Sequence, residues 1–259
     1  MVEISEHAEP DHSSGNQLPL GLIDIHSHLI PAIDDGCIDV TESVEAIQLL
    51  IRAGYVGSIC TPHIWPQQFP RNTAPRIEEL TRELDSRLDA DGITYQLWSG
   101  GEVRLYEGIV DWLKVNGVPT LACSPCVLTD LWDGGWNRWV IEVFEWLLAN
   151  HYQPILAHPE RMPPSRGTWR MLQDVVQMGV WLQGNFRSFT GEEGYNAGQL
   201  VRQLVFEQQF KFMALDTHRP GSLVGRFDGM QLMVEECGQA VVDELTMYAP
   251  RRHIFGMSQ

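Results

Sequence analysis

Two histidines separated by one residue, His26 and His28 in "DIHSHLIPAIDDG" (24–36), precede an acidic doublet, Asp34 and Asp35, and then Gly36. Three more histidines, His63, His158 and His218, and two acids, Glu102 and Asp216, close apolar runs farther along the chain. Imidazole and carboxylate without thiolate form the donor set of zinc, manganese, iron or magnesium bound for hydrolysis rather than for structural support. Carboxylates can also bridge two ions. Any one of these histidines alone reads better as a satisfied core or surface residue. As a set at the ends of expected strands, they are hard to obtain by chance.

The elements that must position them alternate regularly. "LIDIHSH" (22–28), "VGSICTPH" (56–63), "TYQLWSGGE" (94–102), "CVLTDLW" (126–132), "PILAHPE" (154–160), "GVWLQGN" (179–185) and "FKFMALDTH" (210–218) are strand candidates, with helix-period segments between them. In "TESVEAIQLLIRAG", apolar residues 44, 47, 50 and 51 share one helical face before a stop at Gly54. Successive β–α units predict a mostly parallel sheet, open or closed into a barrel, with its site at the carboxyl ends of the strands. Residues at i and i+2 of a strand point the same way, so His26 with His28 and Asp216 with His218 read as two-toothed claws.

Length and composition limit the alternatives. A chain of 259 residues with 44% hydrophobic residues can bury a large core, and one barrel domain over residues 21–259 is expected after a polar, disordered segment 1–20. A formal net charge of -16 argues against nucleic acid, whose phosphates are held by clustered Lys and Arg. No membrane insertion is expected and the first residues lack a signal-peptide pattern, so a cytoplasmic protein follows as an expectation. Five cysteines, an odd number, argue against a disulfide framework, and the lone C-x-x-C of Cys123 and Cys126 reads as ordinary thiols. Cysteine-dependent phosphatase chemistry is excluded: six positions after the five cysteines stand Ser43, Pro66, Thr129, Trp132 and Asp243, never the required arginine.

The motifs "DIHSHLIPAIDDG", "CTPH", "GGEV", "ILAHPERM", "QGNFRSFTG" and "ALDTH", in this order, resemble the polymerase-and-histidinol-phosphatase (PHP) superfamily. More narrowly, they resemble the bacterial manganese-type protein-tyrosine phosphatases of the CpsB/YwqE kind, which act with capsule and exopolysaccharide synthesis systems. The resemblance runs from about Leu20 into the last fifty residues. It implies a distorted TIM-like (β/α)7 barrel of the PHP type holding two or three divalent ions, manganese first, with iron, zinc or magnesium as alternatives.

The resemblance also implies roles. His26, His28, Glu102 and Asp216 would hold one ion; Glu102 would bridge to a second, which His158 also binds; Asp35, His63 and His218 would hold a third. Asp34 competes with Asp35 for its place. Asp24 would orient a histidine from behind, or be a buried strand-start aspartate. Arg161 in "HPER" would grip the phosphate, joined by Arg226 in "GRFDGM" or by Arg219, each otherwise a surface arginine. Asp130 stands where the family tends to carry a glutamate, and the tryptophan-rich "LWDGGWNRW" would line a substrate groove or pack the rim.

Three functions stay open at this stage. The first is removal of phosphate from phosphotyrosine on a bacterial tyrosine kinase. A PHP phosphoesterase acting on a small metabolite, such as histidinol phosphate or a nucleotide, is the second. The third is a catalytically weak regulatory binding module, against which the filled ligand positions weigh.

Overall fold

The computed structural model describes residues 18–131 and 136–257. Nine strands among them form two parallel sheets. The strands and helices run β1 (Leu22–Ser27), α1 (Val40–Arg52), β2 (Tyr55–Cys60), β3 (His63–Ile64), α2 (Ala74–Ala90), β4 (Gln96–Ser99), β5 (Glu102–Arg104), α3 (Ile109–Asn116) and β6 (Cys126–Asp130). They continue α4 (Arg138–Ala149), β7 (Gln153–Ala157), α5 (Arg166–Gln177), β8 (Trp181–Asn185), α6 (Tyr195–Phe206), β9 (Phe210–Ala214), α7 (Leu223–Cys237), α8 (Gln239–Asp243) and α9 (Ala249–His253).

The α/β alternation predicted from periodicity is therefore observed, with a difference at two strands. β1, β2 and β4 form one sheet, while β3, β5, β6, β7, β8 and β9 form the other. Two expected strands are each broken into a pair, β2 with β3 and β4 with β5. Pro62, which has no N–H to give, occupies the first break and Gly100–Gly101 the second. His63 and Glu102 consequently open new short strands instead of closing old ones, and they sit directly opposite each other in the β3–β5 register. Past the last strand, an isolated parallel bridge joins Ser27 to Thr217, and the His28 N–H donates to the Thr217 carbonyl at 2.7 Å.

Strand alternation divides the apolar side chains. Ile23, Ile25, Leu128, Ile155 and Phe212 pack with Ala249 and Ile254 of the C-terminal segment in one cluster. Their neighbours Val127, Leu156 and Met213 join a larger cluster with the helices, including Ile47, Leu50, Phe144 and Val201. At about 25 cal/mol per Å2 of apolar surface removed from water, these two faces dominate the stabilisation of the strands. In α1, the buried stripe is Ser43, Ala46, Ile47 and Leu50; Ile51, expected on that face, is exposed. Asp39 caps this helix by accepting from the Thr41 and Glu42 N–H groups.

Two expectations meet the limits of the described residues. The segment 1–20 is described only from Leu18, and there it is held: Leu18 packs on the first cluster, and Arg251 donates to the Pro19 and Gly21 carbonyls. In the tryptophan-rich stretch, 132–135 lies outside the described residues, whereas Trp136 and Trp139 pack against the larger core. All five cysteines are free. No described helix is long and apolar enough to cross a membrane.

Candidate metal centre

The carboxyl ends of the strands bring the candidate donors together. His26 lies in β1 and His28 just after it; their Nε2 atoms face each other at 3.3 Å. Glu102 Oε2 lies 3.4 Å from His26 Nε2, 3.6 Å from His28 Nε2 and 2.8 Å from His63 Nδ1. Asp216 Oδ1 stands 3.4 Å from His26 Nε2 and 3.5 Å from His28 Nε2. Despite these close approaches, Glu102 Oε2 is buried with no aligned hydrogen-bond donor. Lone pairs crowding a shared point, around an oxygen without a donor, fit a cation as their common partner.

Four overlapping groups have ligand atoms within 4.8 Å of one another: His28, Asp35, His63 and His218; His26, His28 and Glu102; His26, His158 and Asp216; and Glu102, Asp130 and His158. Every histidine and acid proposed as a ligand from the sequence falls into at least one group. Asp130, noted in the sequence only as a departure, stands with Glu102 and His158. It is buried, and its Oδ2 accepts from Arg104 at 3.0 Å, with that guanidinium 5.1 Å over the Trp65 ring.

The aspartate doublet divides its tasks. Asp34 Oδ2 accepts the His28 Nδ1–H at 2.7 Å and the His63 backbone N–H at 3.0 Å, while Oδ1 accepts the Gly36 N–H. Asp35 faces outward, with Oδ1 3.3 Å from His63 Nε2 and 3.5 Å from His218 Nε2. A Cβ on Gly36 would lie 2.2 Å from the His28 carbonyl oxygen, so this turn closes only around glycine.

Other rings are oriented from behind in the same manner. Gln183 accepts the His26 Nδ1–H at 2.8 Å, its amide fixed because Nε2 donates to Gly184 and Asn185. His218 donates from Nδ1 to the Asp216 carbonyl at 2.9 Å. Asp24, expected behind a histidine ring, does something different: it accepts from the backbone N–H of Leu215 and from the Thr217 hydroxyl, tying β1 to the segment after β9. The oxygen that orients the nearby ring is the amide of Gln183.

The D-x-H claw also forms differently from the strand geometry expected. β9 ends at Ala214, and Asp216 follows with φ +53°; His158, just past β7, has φ +33°. Left-handed conformations at non-glycine residues are uncommon and cluster at sites where the surroundings impose them. Asp216 divides its oxygens: Oδ2 accepts from Asn185 at 2.9 Å and from Arg161 at 3.3 Å, leaving Oδ1 to the imidazoles.

Electrostatics follow from this packing. Burial pulls the His28 pKa down, but the Asp34 and Asp216 carboxylates outweigh it and raise it to about 10. His63 is likewise raised to about 11, burial being overcome by Glu102 and Asp35. Burial raises Glu102 and Asp216, yet His26 with His63 and with His218, respectively, hold them well below the carboxylate range. The acids thus draw positive charge onto the ligand nitrogens. Burial pushes Glu160 up to about 7; this carboxyl accepts from the Asn185 N–H and the Ser188 hydroxyl.

The arginines are placed unequally. Arg161, in the turn after β7, pairs with Asp216 and lies 3.6 Å from Glu193. It lines a cavity of about 190 Å3 with Asp35, His63, Glu102, His158 and His218. Arg226 reaches the same cavity, but Nε, Nη1 and Nη2 donate to the carbonyls of Leu215, Asp216 and Ser222. Arg219 donates from Nε to the Gly36 carbonyl and is absent from the cavity wall.

The family model for capsular polysaccharide synthesis, CpsB/CapC, matches residues 22–254, the whole span that carries this centre. This chain belongs to the CpsB/CapC family. Similar CpsB/CapC sequences include the tyrosine-protein phosphatase YwqE of Bacillus subtilis, 28% identical over 197 residues, covering 76% of this chain and 77% of YwqE. The putative tyrosine-protein phosphatase CapC of Staphylococcus aureus is 23% identical over 231 residues, 88% of each chain. Among solved structures, one from work on YwqE of Bacillus subtilis and CpsB of Streptococcus pneumoniae, described as metal-dependent tyrosine phosphatases, superposes with a TM-score of 0.80. That match has 26% identity and covers 92% of this chain and 96% of the other. A histidinol phosphate phosphatase from Lactococcus lactis shares the fold, with a TM-score of 0.50, 14% identity and coverage of 84% and 94%.

Sequence reading did not give Asp130, Gln183, Asn185 or Glu160 a place in this centre. The available signal was a polar triplet, "QGN", ending an apolar strand whose following loop was expected beside the metals.

Proposed function

We infer that this chain is a metal-dependent phosphoric monoester hydrolase acting on phosphotyrosine in proteins. The observation that carries the reading is that Glu102 and Asp216 each approach both His26 Nε2 and His28 Nε2 to within 3.6 Å, with the Arg161 guanidinium paired to Asp216. His26, His28, Glu102 and Asp216 would hold one ion; Glu102, His158 and Asp130 a second; Asp35, His63 and His218 a third. Manganese is the first candidate, with iron, zinc or magnesium as alternatives. Divalent ions there supply Lewis acidity, bringing the pKa of water from about 15.7 toward 7 and neutralising phosphoryl oxygens.

The chain's own residues perform the rest. Arg161 offers paired N–H donors to phosphoryl oxygens and fixes the ester in line. Asp34, Gln183 and the Asp216 carbonyl hold three imidazoles with one nitrogen turned inward, so the donors need no rearrangement. Arg226, expected as the second phosphate clamp, lines the same cavity as Arg161; three of its five N–H groups hold the Leu215–Asp216 turn and Ser222 through main-chain carbonyls, and the other two would serve the ester. A phenol leaves with a pKa near 10, so a tyrosine ester needs little help from a general acid. Arg104, lying over the Trp65 ring, donates to Asp130 and so fixes that carboxylate.

The proposed substrate is a phosphotyrosine protein, a bacterial tyrosine kinase linked to capsule or exopolysaccharide synthesis, met in the cytoplasm. The test is turnover by the manganese-loaded protein of a phosphotyrosine peptide, a phosphoserine peptide and histidinol phosphate. Preference for phosphotyrosine is expected. Preference for histidinol phosphate would move the reading to a metabolite phosphatase, and inertness toward all three with metal loaded would leave a binding module.

A further inference from the structure

We propose that a trough leading away from the metal centre seats the substrate's polypeptide, with the phosphotyrosine ring against Leu131 and Met162 and a neighbouring apolar or aromatic side chain on Trp65, Tyr106 and Trp139. This rests on the phosphotyrosine reading above and concerns the side of the substrate that ions and arginines do not touch.

Among the described residues, three cavities share walls in succession. The one of about 190 Å3 at the candidate ligands has His158 and Arg161 in common with a second, of about 230 Å3, whose other walls are Asp130, Leu131 and Met162. Leu131 is in turn a wall of a third, of about 440 Å3, lined with it by Trp65, Tyr106, Trp139 and the amides of Gln67 and Asn137. Metal centre, apolar slot and aromatic groove therefore follow in the order of phosphoryl group, ring and main chain in a phosphotyrosine residue. Leu131 and Met162 are buried and present apolar atoms to the slot, the surface that a ring leaving water requires. A thioether also adapts its shape to an aromatic ring and attracts its edge. Phosphoserine, shorter by that ring, would drag its own main chain into the slot and strip its N–H and C=O groups of water.

The groove is held in shape before any peptide arrives. The Arg104 guanidinium lies 5.1 Å over the Trp65 ring, while Tyr106, just after β5, and Trp139, in the first turn of α4, pack on the larger core as they line the groove. Half-buried aromatic side chains offer a partner's apolar residue a large contact area with few rotors to freeze. An extended segment must also satisfy its main chain. Asn137 occupies the N-cap of α4, yet its side chain accepts from none of that helix's N–H groups, which leaves both its donor and its acceptor for a peptide. A larger cavity of about 750 Å3 between α5 and α6, lined by Trp169, shares no wall residue with the metal cavity, so an ester seated on the ions does not lead into it.

The test uses the full chain loaded with manganese and ligands of increasing extent: inorganic phosphate, p-nitrophenyl phosphate, and phosphotyrosine peptides flanked by glycines or, on one side or the other, by leucine or phenylalanine. Calorimetric Kd for phosphate and steady-state KM for the esters are measured for the unmutated protein, Met162→Ala, Tyr106→Ala, Trp139→Ala and Asn137→Ala, with metal content and Tm checked in each. The best apolar-flanked peptide should show a KM about tenfold below that of the glycine-flanked one. Tyr106→Ala and Trp139→Ala should remove most of that advantage and leave p-nitrophenyl phosphate unchanged. Asn137→Ala, whose native side chain caps nothing, should raise KM a few-fold for all peptides alone. Met162→Ala should raise KM a few-fold for every aryl ester at an unchanged Kd for phosphate. Equal KM for glycine-flanked and apolar-flanked peptides, or equal losses for p-nitrophenyl phosphate and peptides in the groove variants, would overturn the trough while leaving the phosphatase reading intact. Inertness of the unmutated, metal-loaded protein toward every ester would sink both.

Discussion

The carboxylate of Asp34 accepts the Nδ1–H of His28 at 2.7 Å and so turns that ring's Nε2 toward Glu102 and Asp216. Asp34 also fixes His63 through its backbone N–H. Asp34→Asn should lower metal affinity about 10- to 100-fold, the range for losing a group that orients a ligand. Asp35→Asn removes a donor atom instead. Metal retained after dialysis, measured by elemental analysis, distinguishes the two; full retention in Asp34→Asn would contradict the orienting role.

Glu102 lies within 3.6 Å of four imidazoles, those of His26, His28, His63 and His158, whereas Arg161 pairs with Asp216 and opens onto the cavity. Glu102→Ala should therefore lose metal and nearly all turnover together. Arg161→Ala should keep its metal and chiefly raise KM. Equal metal content with undiminished activity in Glu102→Ala would count decisively against the bridging assignment.

Protons and cations compete for the same nitrogens. His28 is raised to about 10 and His63 to about 11 from an ordinary 6.5, so in the ion-free protein both hold protons at neutral pH. For groups raised on folding, the stabilisation is complete below about pH 6.5 and is lost as pH rises through the folded values. Metal binding displaces these protons and strengthens over the same window. The rise in Tm on adding manganese should thus grow from pH 6.5 to 9, with proton release visible as a buffer-dependent calorimetric enthalpy. A Tm increment independent of pH would refute the competition.

Gly36 leaves no room for a side chain beneath His28. Gly36→Ala should destabilise the ion-free fold by roughly 1–3 kcal/mol, as overpacking does, and weaken metal retention because His28 must shift. Chemical denaturation and metal analysis would check the two effects; an unchanged midpoint would show that the turn yields freely.

Much of this was legible in the chain. The strand candidates carrying His26, His158 and Asp216 correspond to β1, β7 and β9, because apolar runs punctuated by helix-period segments encode parallel β–α units locally. The breaks after Cys60 and Ser99 were not, although Pro62 and the Gly100–Gly101 pair mark them, since whether such residues end a strand or merely interrupt it depends on which neighbour the chain pairs with next. Ile51 was expected inside and is exposed, because periodicity alone does not say where a helix leaves the core.

What the sequence determined by itself was the chemistry on offer: imidazoles and carboxylates without thiolates, delivered at the ends of apolar strands, and no C-x5-R loop to compete with them. Tertiary structure decided who faces whom. It separated Asp34 from Asp35, gave the His26 ring to Gln183 while Asp24 ties β1 to the segment after β9, placed Asp130 beside Glu102, and brought Arg161 and Arg226 to one cavity wall while sending Arg219 back to Gly36. The reason is physical: a side chain's donor and acceptor set is fixed by its type, but its partner is fixed by register, by left-handed turns at His158 and Asp216, and by contacts across more than a hundred residues of chain.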